Sequence, residues 1–427
     1  MKIKTIALTI GGGVVLGAAL YATSFYAPTK VLDSYKKIDQ VVTPATSTAS
    51  VVDGVQSATT PVPFVASHLQ TPVPLKAVYI SSWVAGSRLR RERIVNLIDT
   101  TEINAVVIDV KDSTGHISFP VTDARLVKEN TAQKRITDIR EFVKELHEKN
   151  IYVIARIAVF QDPVFVVNHP ELGLKMKSDT TKLWKDSKKI AWLDAGSKDV
   201  WDYVLAIAHE AYTVGFDEAN FDYIRYPSDG DLKNIYYPLS HDKIRAEVVN
   251  SFFQYVHENL EDKEMKTSAD IFGLTTTEKG DLGIGQILEN ALAHFDYVAP
   301  MVYPSHFAHG TYNIKDPATH PYEIVKTSMG KAVARAMKND IDRKKLRPWL
   351  QDFDLGAIYT SEMIRAQISA TYDVGLDSWM LWDPANNYTK EALFDDASAS
   401  TEFATHTPVL PTFSEPIPPS TSTSKIN

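Results

Sequence analysis

The segment 215–227 (GFDEANFDYIRYP) carries acidic and amide side chains in an alternating pattern. If residues 218–223 are extended, Glu218, Asn220 and Asp222 lie on one face of the strand, and the apolar residues between them lie on the other. A strand with one polar and one apolar face fits a small closed barrel whose polar row points inward. Asp222 then stands at the carboxyl end of its strand, where barrel enzymes hold their catalytic groups. Glu218 lies lower, where a buried salt-bridge role is the alternative.

Asp270 lies at the same level of the next predicted strand, 266–272. Neighbouring strands are about 4.8 Å apart, so the carboxyl groups of Asp222 and Asp270 are expected to lie close together. Two such groups can cleave a glycosidic bond, one as the proton donor and the other as nucleophile or base. Their mutual repulsion predicts that one of them keeps its proton near neutral pH. The alternative is a pair of structural salt-bridge partners, whose removal would lower stability.

Polar and aromatic side chains also mark the carboxyl ends of the other predicted strands. We predict that the following residues bind the substrate: Asp109, Lys111, Asn220, Arg225, Tyr303, Gln351 and Trp382. Asp109 and Lys111 would set the local charge. Tyr303 and Gln351 would hydrogen-bond a sugar, and Trp382 would stack under a sugar ring. The sequence predicts no metal site and no cofactor, since its histidines are scattered and its body has no glycine-rich phosphate loop.

Eight short apolar segments alternate with amphipathic segments along the chain, which predicts a (β/α)₈ TIM barrel of the α/β class. The predicted strands are 76–82, 104–111, 151–160, 218–223, 266–272, 295–303, 347–353 and 376–382. The predicted helices between them are 88–100, 136–149, 198–213, 243–260, 284–293, 321–339 and 361–373. Joins from strand to helix are the long ones, so long loops collect on the C-terminal face, where a cleft would form.

Composition excludes several classes of function. The chain has 427 residues, a formal net charge of −8 and no cysteine. The negative charge argues against nucleic acid as a partner, because phosphate binding needs a basic surface. The lack of cysteine removes disulfides, thiol nucleophiles and cysteine-ligated zinc. With 44% apolar and 23% charged residues, a well-packed globular body is expected.

The N-terminal residues predict export. Two lysines precede a long uncharged run, so residues 1–30 are predicted to form an uncleaved membrane anchor or a signal peptide. The body then lies outside the cytoplasm, held to the membrane through this segment or secreted. Residues 31–74 are rich in Ser, Thr and Pro and are predicted to be a linker, and 403–427 a disordered tail of similar composition. The barrel domain is expected over 75–402.

Several segments of the body match a known family in chain order: KAVYIS, NAVVIDVKDSTG, ARIAVFQDP, GFDEANFDYIRYP, APMVYPSHF, RPWLQDF and WMLWDPANNY. Together they span residues 76–390 and resemble the glycosyl hydrolase domain family of bacterial exported proteins. The resemblance implies a TIM barrel that acts on glycans. It transfers no catalytic residue to this chain.

A more distant similarity is to chitinase-type barrels, through the Met-x-Tyr pattern at 301–303 and the tryptophan Trp382. The glutamate with which chitinases end their fourth strand is missing, and Asp222 stands there instead. Alpha-amylases also end that strand with an aspartate, but they carry a glutamate where this chain has Asp270. These departures argue against transfer of the chitinase mechanism.

The sequence therefore predicts a glycoside hydrolase that cleaves a cell-wall or extracellular polysaccharide, or its oligosaccharides, with Asp222 and Asp270. The alternative is a non-catalytic glycan-binding protein of the envelope, which would use the same aromatic cleft without matched carboxylates. A third hypothesis is an amidase or deacetylase of wall polymers. The histidines expected as metal ligands in such an enzyme are not evident in the sequence.

Overall fold

Eight parallel strands close into a barrel. The computed structural model describes residues 64–260, 264–395 and 405–406. In chain order the strands are β1 (Lys76–Ile80), β2 (Ala105–Lys111), β3 (Tyr152–Ala158), β4 (Glu218–Asp222), β5 (Lys266–Phe272), β6 (Tyr297–Met301), β7 (Trp349–Gln351) and β8 (Trp379–Trp382). Each strand pairs with the next, and β8 pairs with β1. The predicted (β/α)₈ TIM barrel is confirmed.

Helices on the outside of the barrel connect consecutive strands. They are α1 (Arg88–Ile98), α2 (Ile139–Glu148), α3 (Lys198–Thr213), α4 (Arg245–Leu260), α5 (Leu288–His294), α6 (Pro321–Lys338) and α7 (Ser361–Asp373). Helix α3 begins at its predicted residue because the Ser197 side chain caps it, accepting a hydrogen bond from the backbone N–H of Val200 at 3.4 Å. Short 3-10 turns occur at Pro170–Leu172, Leu232–Asn234, Gly273–Thr276, Pro304–His306, Thr311–Asn313, Pro317–Thr319, Arg343–Lys345 and Lys390–Ala392.

Side chains on each strand alternate between two cores. On β4, Phe221 packs outward against Phe252 of α4 and against Phe295, with ring centroids 6.4 and 6.0 Å apart. The polar residues of β4 point into the barrel, as the alternation predicts. Phe221 lies opposite Ala269 of β5, so the next residues, Asp222 and Asp270, end up side by side at the carboxyl end of the barrel.

The loops at the carboxyl ends of the strands are long, as predicted, and they carry structure of their own. Three short helices follow the first three strands: Ser82–Ala85, Ala124–Glu129 and Phe165–Asn168. Three further segments pair into a small antiparallel sheet: Lys175–Met176, Asp179–Leu183 and Ile235–Tyr236. This sheet ties the loop after β3 to the loop after β4, and the sequence pattern did not predict it.

Residues 64–74, which we call the strap, pack on the outside and base of the barrel. The backbone N–H of Leu69 donates to Oδ1 of Asp217, just before β4, at 2.7 Å. The Thr71 hydroxyl donates to the hydroxyl of Tyr152, at the start of β3, at 3.1 Å. The described end of the predicted linker, residues 64–74, therefore contacts the barrel.

The predicted export segment 1–30 and residues 31–63 of the predicted linker lie outside the described residues. So do residues 396–402 of the predicted domain and most of the predicted tail 403–427. Within the part of the chain that the structure describes, no helix is both long and apolar enough to cross a membrane.

Candidate active site

The guanidinium of Arg156, on β3, lies between carboxylates from the two neighbouring strands. Its Nη1 donates to Oδ1 of Asp109 on β2 at 2.5 Å. Its Nη2 and Nε donate to Oδ2 of Asp222 on β4 at 2.5 and 3.2 Å. The other oxygen of Asp222 accepts a hydrogen bond from the backbone N–H of Tyr223 at 2.6 Å. Tyr223 has a φ of 55°, in the left-handed region, so the chain turns sharply just after Asp222.

Asp270, at the corresponding level of β5, completes the group. Its Oδ2 lies 3.8 Å from Nε of Arg156. Its Oδ1 accepts hydrogen bonds from Nδ2 of Asn220 at 2.9 Å and from Nε1 of Trp349 at 2.8 Å. The structure therefore brings the two predicted catalytic acids to one arginine. We call four residues the acid cluster: Asp109, Arg156, Asp222 and Asp270.

The acid cluster holds three carboxyl groups and a single guanidinium, so its charges do not balance if every acid is ionised. Burial, and then the nearby charge of Asp222, raise the pKa of Asp270 to about 8. Burial also raises the pKa of Asp109, although the charge of Arg156 opposes that shift. The raised pKa favours the protonated form of Asp270 at neutral pH, while Asp222 accepts the hydrogen bonds of the guanidinium.

Aromatic rings form one wall of the acid cluster. The hydroxyl of Tyr79, on β1, donates to Oδ2 of Asp109 at 2.5 Å, and its ring stacks on Trp382 with centroids 3.9 Å apart. The guanidinium carbon of Arg156 lies 4.8 Å from the Trp382 ring centroid, within cation–π range. The predicted residue Trp382 thus belongs to this wall, packed among these groups and only 5% exposed.

A second ion pair lies deeper in the barrel, toward its base. Glu218, at the start of β4, accepts hydrogen bonds from Nη1 of Arg347 at 2.9 Å and from the hydroxyl of Tyr152 at 3.2 Å. Both charged side chains are buried. One acid meets one base here, so the charges balance. The salt-bridge alternative for Glu218 is therefore what the structure shows, and we call Glu218 and Arg347 the basal pair.

Lys111 and Gln351, also predicted to bind substrate, are held by partners inside the protein. The ammonium of Lys111 pairs with Asp162, in the loop after β3, at 2.9 Å, and both side chains are fully buried. The Gln351 side chain accepts a hydrogen bond from the Ser305 hydroxyl at 2.8 Å and donates one to the backbone carbonyl of Phe353 at 2.8 Å. Both side chains fix loops at the mouth, and contact with a substrate would require them to leave these partners.

Tyr303 and Arg225, also predicted to bind substrate, lie among aromatic rings at the mouth. Tyr303 follows β6 and is buried, with its ring edge-on to Phe353 at a centroid distance of 5.6 Å. The guanidinium carbon of Arg225 lies 4.6 Å from the ring centroid of Phe272 and 5.0 Å from that of Trp192. These rings hold the cation by cation–π contact near the carboxyl ends of β4 and β5.

Sequence reasoning missed Tyr79 and Trp349 and did not predict that Arg156 joins the acids. Arg156 is the one charged residue in the apolar segment 151–160. A charge in the middle of a buried strand needs a partner, and this was the signal that could have found it. Tyr79 and Trp349 stand at inward positions of their strands, but alternation does not show which acid a ring contacts.

In chemical terms, the acid cluster offers a proton donor and a carboxylate side by side. Asp270 can donate its proton, and Asp222 can act as a nucleophile or base. Over residues 64–260, 264–395 and 405–406, no group of three or more His, Cys, Asp or Glu is placed to hold a metal ion. The positions of Asp222 and Asp270 support acid–base chemistry by carboxyl groups.

A family model described as "Putative glycosyl hydrolase domain" matches residues 77–388. The chain belongs to this family. The match runs from β1 to the loop after β8 and includes every residue of the acid cluster. The resemblance inferred from sequence is confirmed, and this family places the protein in the general class of glycoside hydrolase domains.

Solved structures also resemble the chain. The PgaB (BpsB) glycoside hydrolase domain from Bordetella bronchiseptica is 16% identical, with a TM-score of 0.51, over 75% of this chain and 97% of that chain. A hypothetical protein from Ruminiclostridium thermocellum ATCC 27405 is 34% identical, with a TM-score of 0.41, over 45% of this chain and 96% of that chain. No curated protein matches the sequence. The likeness to the PgaB domain is a likeness of fold.

Proposed function

We propose that the protein is a glycoside hydrolase in which Asp270 is the proton donor and Asp222 the nucleophile. The observation that carries the proposal is that Asp222 and Asp270 lie at one guanidinium at the carboxyl ends of neighbouring strands. Burial and the charge of Asp222 raise the pKa of Asp270 to about 8, which suits it to donate a proton. A glycosidase needs one carboxylic acid and one carboxylate at the same bond. Membership of the family supports the same class of reaction.

The spacing of the two acids supports a retaining mechanism. Oδ2 of Asp222 and Oδ2 of Asp270 lie 3.2 and 3.8 Å from one atom, Nε of Arg156. The two oxygens are therefore no farther apart than the sum of these distances. The carboxyl groups of retaining glycosidases lie about 5–5.5 Å apart, and those of inverting glycosidases lie about 6.5–9.5 Å apart. The bound on the distance between the Asp222 and Asp270 oxygens therefore excludes most of the inverting range. The anomer released first, identified by NMR, tests this assignment.

The proposed reaction has two steps. First, Asp270 gives its proton to the glycosidic oxygen while the bond from that oxygen to the anomeric carbon breaks, and Asp222 forms an ester with this carbon. Then Asp270 takes a proton from water, whose oxygen displaces Asp222 from the anomeric carbon. Arg156 orients Asp222 through two hydrogen bonds. Asn220 and Trp349 donate to Oδ1 of Asp270, which leaves Oδ2 to carry the proton.

We propose a cell-wall or extracellular polysaccharide as the substrate. The predicted export segment 1–30 would place the barrel outside the cytoplasm, where such polymers lie, held to the membrane or secreted. The rings around the mouth suit the apolar faces of sugar units. A non-catalytic glycan-binding protein would use the same rings, so binding without cleavage is the outcome that favours this alternative.

New reducing ends test the proposal directly. The protein is incubated with peptidoglycan strands, N-acetylglucosamine oligomers and other wall polysaccharides, beside the variants Asp270→Asn and Asp354→Asn. Asp354 is an exposed acid on the same rim that accepts a hydrogen bond from the backbone N–H of Tyr359 at 2.7 Å, which an asparagine can also accept. We expect cleavage by the parent and by Asp354→Asn but not by Asp270→Asn. Cleavage by Asp270→Asn at the parent's rate would contradict the assignment.

A further inference from the structure

Trp83 is exposed at the mouth of the barrel. It lies in the short helix Ser82–Ala85, which directly follows β1, and 61% of its surface is open to solvent. The chain has seven tryptophans, all within the described residues, and the other six are buried. A large ring left open at the end of the barrel that holds the acid cluster calls for an explanation.

The Trp83 ring is held in a fixed position. It lies on the guanidinium of Arg135, whose central carbon is 4.5 Å from the ring centroid. That guanidinium donates to Oδ2 of Asp112 at 2.8 Å, to the hydroxyl of Ser82 at 3.0 Å and to Oε1 of Gln133 at 2.9 Å. A cation bound on several sides cannot move freely beneath the ring. One face of Trp83 is therefore covered by the guanidinium.

The short helix is locked against the same arginine. Its first turn is capped by Ser81, whose hydroxyl accepts a hydrogen bond from the backbone N–H of Val84. At its end, Gly86 lies so close to the Arg135 backbone that an added Cβ would be 2.2 Å from the carbonyl oxygen. The ring is thus a preformed platform, whose use requires little further loss of side-chain entropy.

The platform adjoins the acid cluster. Asp112, which holds Arg135, comes directly after β2 and Lys111, and its charge is one of those that raise the pKa of Asp109. Asp109 in turn accepts a hydrogen bond from Arg156. Arg135 under the Trp83 ring binds Asp112, Arg156 binds Asp109, and these two aspartates stand three residues apart at the carboxyl end of β2.

We propose that Trp83, supported by Arg135, is an outer subsite that binds the apolar face of a sugar unit in the same glycan chain that is cut at the acid cluster. This inference rests on the proposed function and adds a substrate class to it, namely extended chains rather than disaccharides. An open, flat and uncharged ring stacks on the C–H face of a pyranose without needing a charged group on the sugar. The subsite therefore selects for chain length and not for charge.

Kinetics on short and long chains test the subsite. With N-acetylglucosamine oligomers as probe, Trp83→Ala is expected to lower kcat/KM for the hexamer about tenfold and to leave the dimer unchanged. Phe64→Ala is the matched control, because Phe64 is also an exposed ring over an arginine, at 44% exposure. Its ring centroid lies 5.0 Å from the guanidinium carbon of Arg140, which stands in the first turn of α2. Equal losses on dimer and hexamer, or no loss on the hexamer, would overturn the proposal.

Quenching of fluorescence by acrylamide separates this proposal from the proposed function. Trp83 is the one exposed tryptophan among the seven. The difference in acrylamide quenching between the parent and Trp83→Phe therefore reports on this ring. In Asp270→Asn protein, which should not cut, the hexamer is expected to suppress that part of the quenching. Cleavage by the parent without such protection would overturn the subsite and leave the function standing. Protection without cleavage would overturn the proposed function and leave Trp83 only as a ring that binds glycan. Failure of both would overturn the function and the subsite.

Discussion

Strand β4 carries two acids in different surroundings. At its base, Glu218 meets Arg347 in the basal pair, where one negative charge faces one positive charge. At its carboxyl end, Asp222 shares Arg156 with two further acids. Both acids are buried and both are ion-paired, so neither property separates a structural acid from a functional one. The balance of charge separates them, because only the upper group holds more acids than bases.

This difference predicts opposite responses to the loss of an acid. In the basal pair, loss of Glu218 leaves a buried cation without its counter-charge, which is costly. In the acid cluster, loss of Asp222 leaves Arg156 with two remaining acids and removes a repulsive charge. The first change should act on stability and the second on chemistry.

The largest expected effect is on catalysis. Asp222→Asn should lower the hydrolysis rate by about 10³–10⁴-fold, because the side chain can no longer attack or act as a base. Its melting temperature should stay near that of the parent, since Arg156 keeps Asp109 as a partner. Rate and melting are measured on the same preparation. Full activity would remove Asp222 from the site, and a large fall in melting temperature would make it structural.

The next effect is on stability. Glu218→Gln should lower the free energy of unfolding by about 3–5 kcal/mol, as expected when one partner of a buried pair is removed. Denaturant titration measures this loss. The double variant Glu218→Gln with Arg347→Met is the control, because it leaves no buried charge and should recover much of the stability. If Glu218→Gln were as stable as the parent, the basal pair would not be structural and its contrast with the acid cluster would fail.

One tyrosine at the acid cluster and one at the basal pair allow a finer comparison of the two groups. Tyr79→Phe removes a 2.5 Å hydrogen bond to Asp109 in the upper cluster, and Tyr152→Phe removes a 3.2 Å bond to Glu218 in the basal pair. We expect Tyr79→Phe to cost about 1.5–3 kcal/mol and Tyr152→Phe about 0.5–1.5 kcal/mol, since shorter bonds to charged groups are stronger. Denaturant titration of both variants measures the two losses. The reverse order would show that the upper acids are not held more tightly.

The last effect concerns the pH dependence of stability. Asp270 has a pKa raised from 3.8 to about 8 by burial and by Asp222, so between these values the folded state binds a proton that the unfolded state releases. Stability should therefore fall as pH rises from about 4 to 8, by up to about 1.4 kcal/mol per pH unit. Asp270→Asn should flatten this slope, and Glu218→Gln should not.

The measurement for this prediction is the difference in slope between parent and variant. Asp352, whose pKa is raised to about 7 mainly by burial, adds a slope of the same sign to both proteins. Unfolding free energies at several pH values between 4 and 8 give the difference. An identical slope in Asp270→Asn and the parent would show that Asp270 does not hold a proton in the folded protein. In that case activity should also show no loss above pH 8.

Much of the barrel could be predicted because the spacing of apolar residues in the sequence follows the periods of strands and helices. Strand β5 and helices α3 and α7 have the predicted limits, and the alternation on β4 gave the faces of Glu218 and Asp222. The adjacency of Asp222 and Asp270 followed from their equal levels on neighbouring strands. These features depend on local spacing, which a single sequence carries.

The partners of the site residues could not be predicted in the same way. The pairing of β2 with β3 is irregular between Asp109 and Lys111, which simple alternation does not predict. The ion-pair partner of Lys111, Asp162, comes from a loop whose path no period reveals. The small antiparallel sheet pairs Lys175–Met176 with Ile235–Tyr236, and strands of two residues leave no pattern. Trp83 lies in a helix of four residues, too short for an amphipathic signal. Alternation shows which face a residue takes, and tertiary packing decides which neighbour it meets.

The strap has a mechanical consequence. Tension applied through the residues before Phe64 reaches the strap before it reaches β1. The contacts that resist it include hydrogen bonds of Ser67 with His147 of α2 at 3.3 Å, of Leu69 with Asp217 and of Thr71 with Tyr152, and the stacking of His68 on Tyr212. All of these lie on the outer surface and base of the barrel, whereas the acid cluster lies at the other end of the strands. If the protein is held through its predicted N-terminal segment, a pull would thus detach the strap first and lengthen the connection, and it would act at the base of β3 and β4 rather than at the end of the barrel that carries the acid cluster.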